Sequence, residues 1–160
     1  MRTEQQFTTL YRESLPLISK YLFRRVEANQ VEELCSQVFE IAWQKRTAAP
    51  AGFELPWLYR IAANVISNHR RSLTRETSLI ASLREPNSAP SAESIALADI
   101  ELAEAWAKLK PAEQNVLALA AFEGLGVHEI SLALGISGNA AAVRLHRARA
   151  NLALLLEYQE

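Results

Sequence analysis

The sequence predicts an all-α protein, built as two small helical domains joined by a flexible linker, the C-terminal domain being a helix-turn-helix. Three observations predict it. Apolar residues recur at spacings of three and four in both halves, with none of the strict alternation of a half-buried strand. A Ser-, Thr- and Pro-rich stretch over residues 73–96, containing Pro86 and Pro90, interrupts that periodicity for longer than a loop inside one domain usually runs. The run from Val127 to Arg149 sets a glycine between two helical patterns, as a helix-turn-helix requires.

Composition excludes several classes. With one cysteine, Cys35, in 160 residues, no internal disulfide framework can form, which fits a reducing cytoplasm. No apolar run is long enough for a membrane span and the N-terminus lacks a signal-peptide core, so membrane insertion is not expected. A formal net charge of -1 argues against a uniformly basic coat for nucleic acid. Charge is segregated, however. Arg60, Arg70, Arg71 and Arg75 follow Glu54 with no acid between, whereas Glu85, Glu93, Asp99, Glu101, Glu104 and Glu113 crowd the middle.

In the N-terminal half, Phe7, Leu10, Tyr11, Leu15, Ile18, Leu22 and Val26 mark one long amphipathic helix, with a break allowed at Pro16. A second helix spans Val31 to Arg46, with Leu34, Val38, Ile41 and Ala42 facing inward and Trp43 near its end. A loop over 47–54 follows, and Pro56 suits the first turn of a third helix that continues to Ser72. On that helix Leu58, Ile61, Ala62, Val65 and His69 form a buried side. Arg60, Asn64, Asn68 and Arg71 share the other, with Trp57 at the start. Asparagine is a poor helix former, and its amide offers a donor and an acceptor to a base edge. Taken singly, these asparagines also fit an ordinary solvated face.

The linker region, with a short helical start near Leu79, leads to the C-terminal domain over 97–160. There, a helix from Val127 to Leu134 ends at Gly135, which enters the left-handed region at little cost. Ser137 caps the next helix. Ala141, Leu145, Ala148 and Leu152 make its buried stripe, while Arg144 and Arg147 lie on another face, extended by His146 and Arg149. No acid occurs between Glu129 and Glu157. Such a helix suits the major groove of DNA, although the same geometry also occurs as plain core packing.

Nothing in the pattern supports catalysis. His69, His128 and His146 are dispersed, with no partners at metal-ligand spacing, and neither common Gly-rich phosphate loop is present. Cys35 reads as a structural thiol at the core or its rim, and Trp43, Trp57 and Trp106 as packing residues, with Trp57 also able to stack on DNA. The expectation is a non-enzyme with no cofactor and no metal site.

The order of these motifs resembles the extracytoplasmic-function sigma factors of bacterial RNA polymerase, members of the sigma-70 family. Residues 34–43, the loop, Pro56-Trp-Leu-Tyr-Arg-Ile-Ala-Ala-Asn64 and Arg70-Arg71 look like their domain two, placed at 1–72. Leu109-Lys-Pro111, Gly124-Leu-Gly126, Glu129-Ile130, Leu134-Gly-Ile-Ser137 and Arg144-Leu-His-Arg-Ala-Arg149 look like their domain four. The resemblance implies promoter-specific initiation in which Glu33, Leu34, Gln37 and Glu40 bind core polymerase. Trp57, Arg60, Asn64, Asn68, Arg70 and Arg71 would engage the minus-ten element, Asn64 lying near an unpaired, flipped base. Ser137, Asn139, Ala140, Val143, Arg144 and Arg147 would read the minus-thirty-five element. The implied partners are core RNA polymerase and promoter DNA, with an anti-sigma factor as a further partner common in the family.

Two segments depart from the family pattern. The usual Asp-Leu-Val-Gln-Glu-Thr-Phe becomes Glu33-Leu-Cys-Ser-Gln-Val-Phe39, losing an acid from the polymerase-facing set. The usual Gly-Thr-Val-Lys-Ser becomes Asn139-Ala-Ala-Ala-Val143. Removing a threonine and a lysine there predicts weak or unusual minus-thirty-five recognition, each lost base contact relaxing discrimination by roughly 1–3 kcal/mol. Two rival readings stay open. One is a helical enzyme or small-molecule binder that carries a helix-turn-helix; the other is a sigma-like adaptor that recognises promoters poorly.

Overall fold

The first helix, α1 (Glu4–Phe23), starts where a threonine can close it. The Gln6 amide donates to Thr3 Oγ1 at 3.1 Å and the Thr3 amide to Gln6 Oε1 at 3.2 Å, a reciprocal cap. The helix runs through Pro16 without a break. Pro16 has no amide hydrogen to offer the Arg12 carbonyl, but it is exposed, and the buried Ile18, Tyr21 and Leu22 just beyond hold the course of the chain. Phe23 ends the helix short of Val26.

These features come from a computed structural model, which describes residues 3–74, 87–96 and 99–157. Helix α2 (Val31–Gln44) buries Leu34, Val38 and Ala42 as expected, together with Cys35 and Phe39, while Ile41 is only half-buried. Residues 46–48 turn as a short 3-10 segment instead of prolonging the helix. Helix α3 (Glu54–Thr74) begins two residues before Pro56. It buries Leu58, Ile61, Ala62 and Val65 as expected, and Tyr59, Ile66 and Ser67 as well; His69 stays half-buried. The wider buried surface has a simple cause: α3 packs on both α1 and α2, so more than one stripe leaves water. Ile18, Leu22, Val38, Leu58 and Ile66 are fully enclosed, each worth about 1.5–3 kcal/mol of burial.

The chain divides into two units, Met1–Ser88 and Ala89–Glu160. The linker expected at 73–96 is drawn differently at its two ends. Leu73 and Thr74 finish α3, and Ala92–Ala96 forms a short helix, α4. Residues 75–86, including the helical start near Leu79, lie outside the described residues. Asn87 and Ser88 are tied to the first unit by two arginines. Arg25, only 6% exposed, donates from Nε to the Ser88 carbonyl at 2.7 Å and from Nη1 to the Tyr21 carbonyl at 2.9 Å, its guanidinium lying 3.6 Å from the centre of the Tyr21 ring. Arg70 donates from Nη1 to both the carbonyl and side-chain oxygens of Asn87 at 3.1 Å, and from Nη2 to the Arg25 carbonyl at 2.8 Å. Burial, and then the nearby Arg25, push Arg70 below its ordinary pKa, with Tyr21 acting in the opposite sense.

In the second unit, Asp99 caps α5 (Ile100–Ala107) by accepting from the Leu102 amide at 3.0 Å, and Pro111 opens α6 (Pro111–Ala121). Helix α7 (Val127–Leu134) has the expected bounds, and α8 (Gly138–Glu157) follows it. Trp106 is 3% exposed and donates its indole N–H to the Pro90 carbonyl at 2.8 Å; its own carbonyl accepts from Gln114 Nε2. Helix α8 packs on α5, α6 and α7, and the fully buried Val116, Ala118, Ile130, Ala141 and Ala148 lie within this core. Every described regular element is a helix.

Gly135→Ala should destabilise the second unit by about 1–2 kcal/mol, because alanine is forced into a left-handed backbone; chemical denaturation of the full chain measures it. Arg25→Met should open residues 87–88 to limited proteolysis while leaving the helix content by circular dichroism unchanged.

Candidate nucleic-acid and partner interfaces

Helix α3 presents Arg60, Asn64 and Asn68, all exposed and spaced by four, on the side opposite its buried residues. Trp57 sits half-buried at the head of this row. Arg71 is also half-buried: it donates to Ser67 Oγ at 3.1 Å and to Asn68 Oδ1, so it braces the asparagine from the next turn. Arg70 does not share this face. Its guanidinium is committed to Arg25 and Asn87, contacts remote in sequence that helical spacing could not reveal.

The loop before α3 is shaped by Gly52 at φ 82°, with its amide held by Glu54 Oε1 at 3.1 Å. This turn leaves Phe53 at the surface, 36% exposed. Sequence reasoning named the loop but not this aromatic, whose position between a turn glycine and a helix start was the available signal.

On α2, Glu33, Gln37 and Glu40 are exposed along one stripe, but Leu34 is only 3% exposed and belongs to the core. One residue is a step of about 100° around a helix, which carries Leu34 from the outward stripe to the inward one. A cleft of about 550 Å³ opens between α1 and α2, lined by Tyr11, Leu15, Phe23 and Cys35 among others. Tyr11, expected inside, is 41% exposed there, with its ring edge-on to Phe39 at 4.8 Å. Cys35 is buried beside Ser19 Oγ at 3.9 Å, and burial pushes its thiol up against the weaker opposing effect of that contact. A thiol kept protonated in this way is a poor nucleophile.

In the second unit, Gly135 adopts φ 69° at the end of α7, and the Ile136 amide reaches back to the Ser131 carbonyl at 3.0 Å. Ser137 Oγ then accepts from the Ala140 amide at 3.1 Å and starts α8. Ala141, Leu145 and Ala148 are buried and Leu152 is half-buried. The other side exposes Asn139, Ala140, Val143, His146, Arg147 and Arg149, with Arg144 half-buried. A cleft of about 410 Å³ lies along this face, lined by Ala140, Val143, Arg144 and Arg147 from α8 and bounded by Lys110, Glu113 and Asn151. None of the last three was among the expected DNA contacts, although Lys110-Pro-Ala-Glu113 has the spacing of a helix start. Among the described residues no group of three metal-ligating side chains occurs, and no helix is long and apolar enough to cross a membrane.

Residues 10–76 match the family model for sigma-70 region 2, and residues 99–152 match that for sigma-70 region 4. Among curated proteins the chain is similar to the ECF RNA polymerase sigma factor SigL of Mycobacterium tuberculosis. The two are 29% identical over 158 residues, spanning 92% of this chain and 87% of that protein. Two solved structures share the fold. The sigma factor RpoE of Bartonella quintana, in complex with the anti-sigma factor NepR, has a TM-score of 0.66 at 19% identity, covering 98% of this chain and 99% of that one. CnrH, in complex with the cytosolic domain of CnrY, has a TM-score of 0.65 at 24% identity, covering 99% and 92%. With region 2 matched on the first unit, region 4 on the second, and a full-length sigma factor aligned across both, the chain belongs to the sigma-70 family as an extracytoplasmic-function RNA polymerase sigma factor, which directs promoter-specific initiation by binding core polymerase and promoter DNA.

Proposed function

We propose that the first unit binds core polymerase and the minus-ten element, and that the second reads the minus-thirty-five element. The observation that carries this division is the pair of outward faces on α3 and α8. In each, the side chains suited to DNA lie off the buried apolar stripe, on the part of the helix that its own unit leaves uncovered or half-covered. Glu33, Gln37 and Glu40 form the acidic and amide surface for polymerase, while Leu34 supports it from within the core. On α3, Arg60 and Asn64 lead the contact with an unpaired strand, Trp57 and the loop aromatic Phe53 offer stacking surfaces, and Arg71 steadies Asn68. Arg70, committed to Asn87, holds the chain segment and not the strand.

Capturing a flipped base opens the duplex without nucleotide hydrolysis. The few kcal/mol lost in unstacking are offset by contacts in the pocket and by docking on polymerase. The protein therefore acts by binding alone, as a non-enzyme in the cytoplasm, where the polymerase works. On α8, Ala140 and Val143 suit contact with thymine methyl groups, and Arg144 and Arg147 suit guanine edges or phosphates. Both solved relatives were captured with an anti-sigma factor or a partner's cytosolic domain, and a protein of that kind is proposed to mask the same faces here.

Reconstituted transcription with bacterial core polymerase on a genomic fragment pool tests the assignment. Asn64→Ala and Arg147→Ala should each lower initiation by roughly tenfold, the value of one good base or phosphate contact, with unchanged thermal unfolding. Initiation at the parental level by both variants would refute the proposed sites. Glu33→Lys with Glu40→Lys should weaken binding to core polymerase in a pull-down, while binding that persists at full strength would remove α2 from the interface.

A further inference from the structure

At about 100° per residue, Ala140, Arg144, Arg147 and Asn151 fall within one narrow stripe of α8. The first three are proposed DNA contacts. The fourth is tied elsewhere: Asn151 Nδ2 donates to Glu113 Oε2 on α6. Glu113 is itself anchored, since its Oε1 accepts from the Lys110 amide at 3.0 Å in the capping box of α6. One carboxylate thus joins the start of α6 to the reading stripe of α8, one turn beyond Arg147.

The buried side of α8 gives this bond its importance. That side consists of Ala141, Leu145 and Ala148, so two of its three buried residues have only a methyl group to interdigitate with neighbours. Large knobs resist sliding and rolling of one helix on another, and alanines resist it little. A directional hydrogen bond supplies the register that such packing lacks. We infer that Glu113, through Asn151, is a positioning residue that sets the roll of α8 and so the aim of Arg144 and Arg147 at base edges of the upstream promoter element. The inference rests on the assignment of the second unit to that element.

The test uses the full chain loaded on core polymerase and a pool of random-sequence duplex DNA, with sequencing of the retained fraction. The parent should enrich two elements. Glu113→Ala and Asn151→Ala should each blunt base discrimination in the upstream element by roughly three- to tenfold, the worth of about one hydrogen bond, and the double variant should be no worse than either single. The downstream element should stay as sharp as in the parent. Exchanging donor and acceptor, E113Q with N151D, should restore the upstream preference. Asp99→Ala removes the cap of α5 away from the cleft, and it should lower the melting temperature without blunting either element. Undiminished upstream discrimination in both alanine variants would overturn the inference, as would blunting by Asp99→Ala or failure of the exchanged pair to recover. A parent that enriches no upstream element would instead refute the assignment of the second unit.

Discussion

Burial of one side of α3 and one side of α8 is the constraint on which the rest of the molecule depends. A helix that recognises nucleic acid has to expose polar groups that gain nothing from folding, so its position must come from the opposite side. In α3 that side is broad, because Leu58, Ile61, Ala62, Val65 and Ile66 are enclosed between α1 and α2. In α8 it is narrow and made chiefly of alanine. The two faces are therefore held with different firmness. The first relies on apolar packing, and the second adds the Ser137 cap, the Gly135 turn and the Glu113–Asn151 bond to a thinner seam.

Arginine serves two purposes in the first unit, and burial separates them. Arg60 projects into solvent, where its charge is available to a phosphate backbone. Arg25 and Arg70 are turned inward onto backbone carbonyls, which lets the fold keep hold of Asn87 and Ser88. Turning them inward has an electrostatic cost: burial first, and then the nearby Arg25, hold Arg70 below its ordinary pKa. Stacking on Tyr21 and the several carbonyl acceptors offset it.

What could be read from the sequence was what local physics decides. The bounds of α7, the left-handed Gly135, the Ser137 cap and the alternating faces of α3 and α8 each depend on residues within a turn or two of one another. Features set by distant partners were not legible. The inward turn of Arg70 depends on an acceptor 45 residues away, and the Glu113–Asn151 bond spans 38. Helical spacing put Leu34 inside, where it lies, and only the family resemblance added it to the polymerase-facing set. Pro16 was allowed to break α1, but the packing of Ile18, Tyr21 and Leu22 overrides the loss of one backbone hydrogen bond. The breadth of the α3 core also escaped a stripe-based reading, because a stripe counts one neighbouring helix and α3 has two.

Oxidative footprinting of side chains, comparing the free chain with the chain bound to core polymerase and promoter DNA, tests the central claim most directly. Residues on the outward faces of α2, α3 and α8 should lose labelling in the complex, Trp57 and Val143 among them, while the exposed residues of α1 near Glu4 to Arg12 should label as before. Equal labelling of the α3 and α8 faces in both states would contradict the account, whatever the level of transcription.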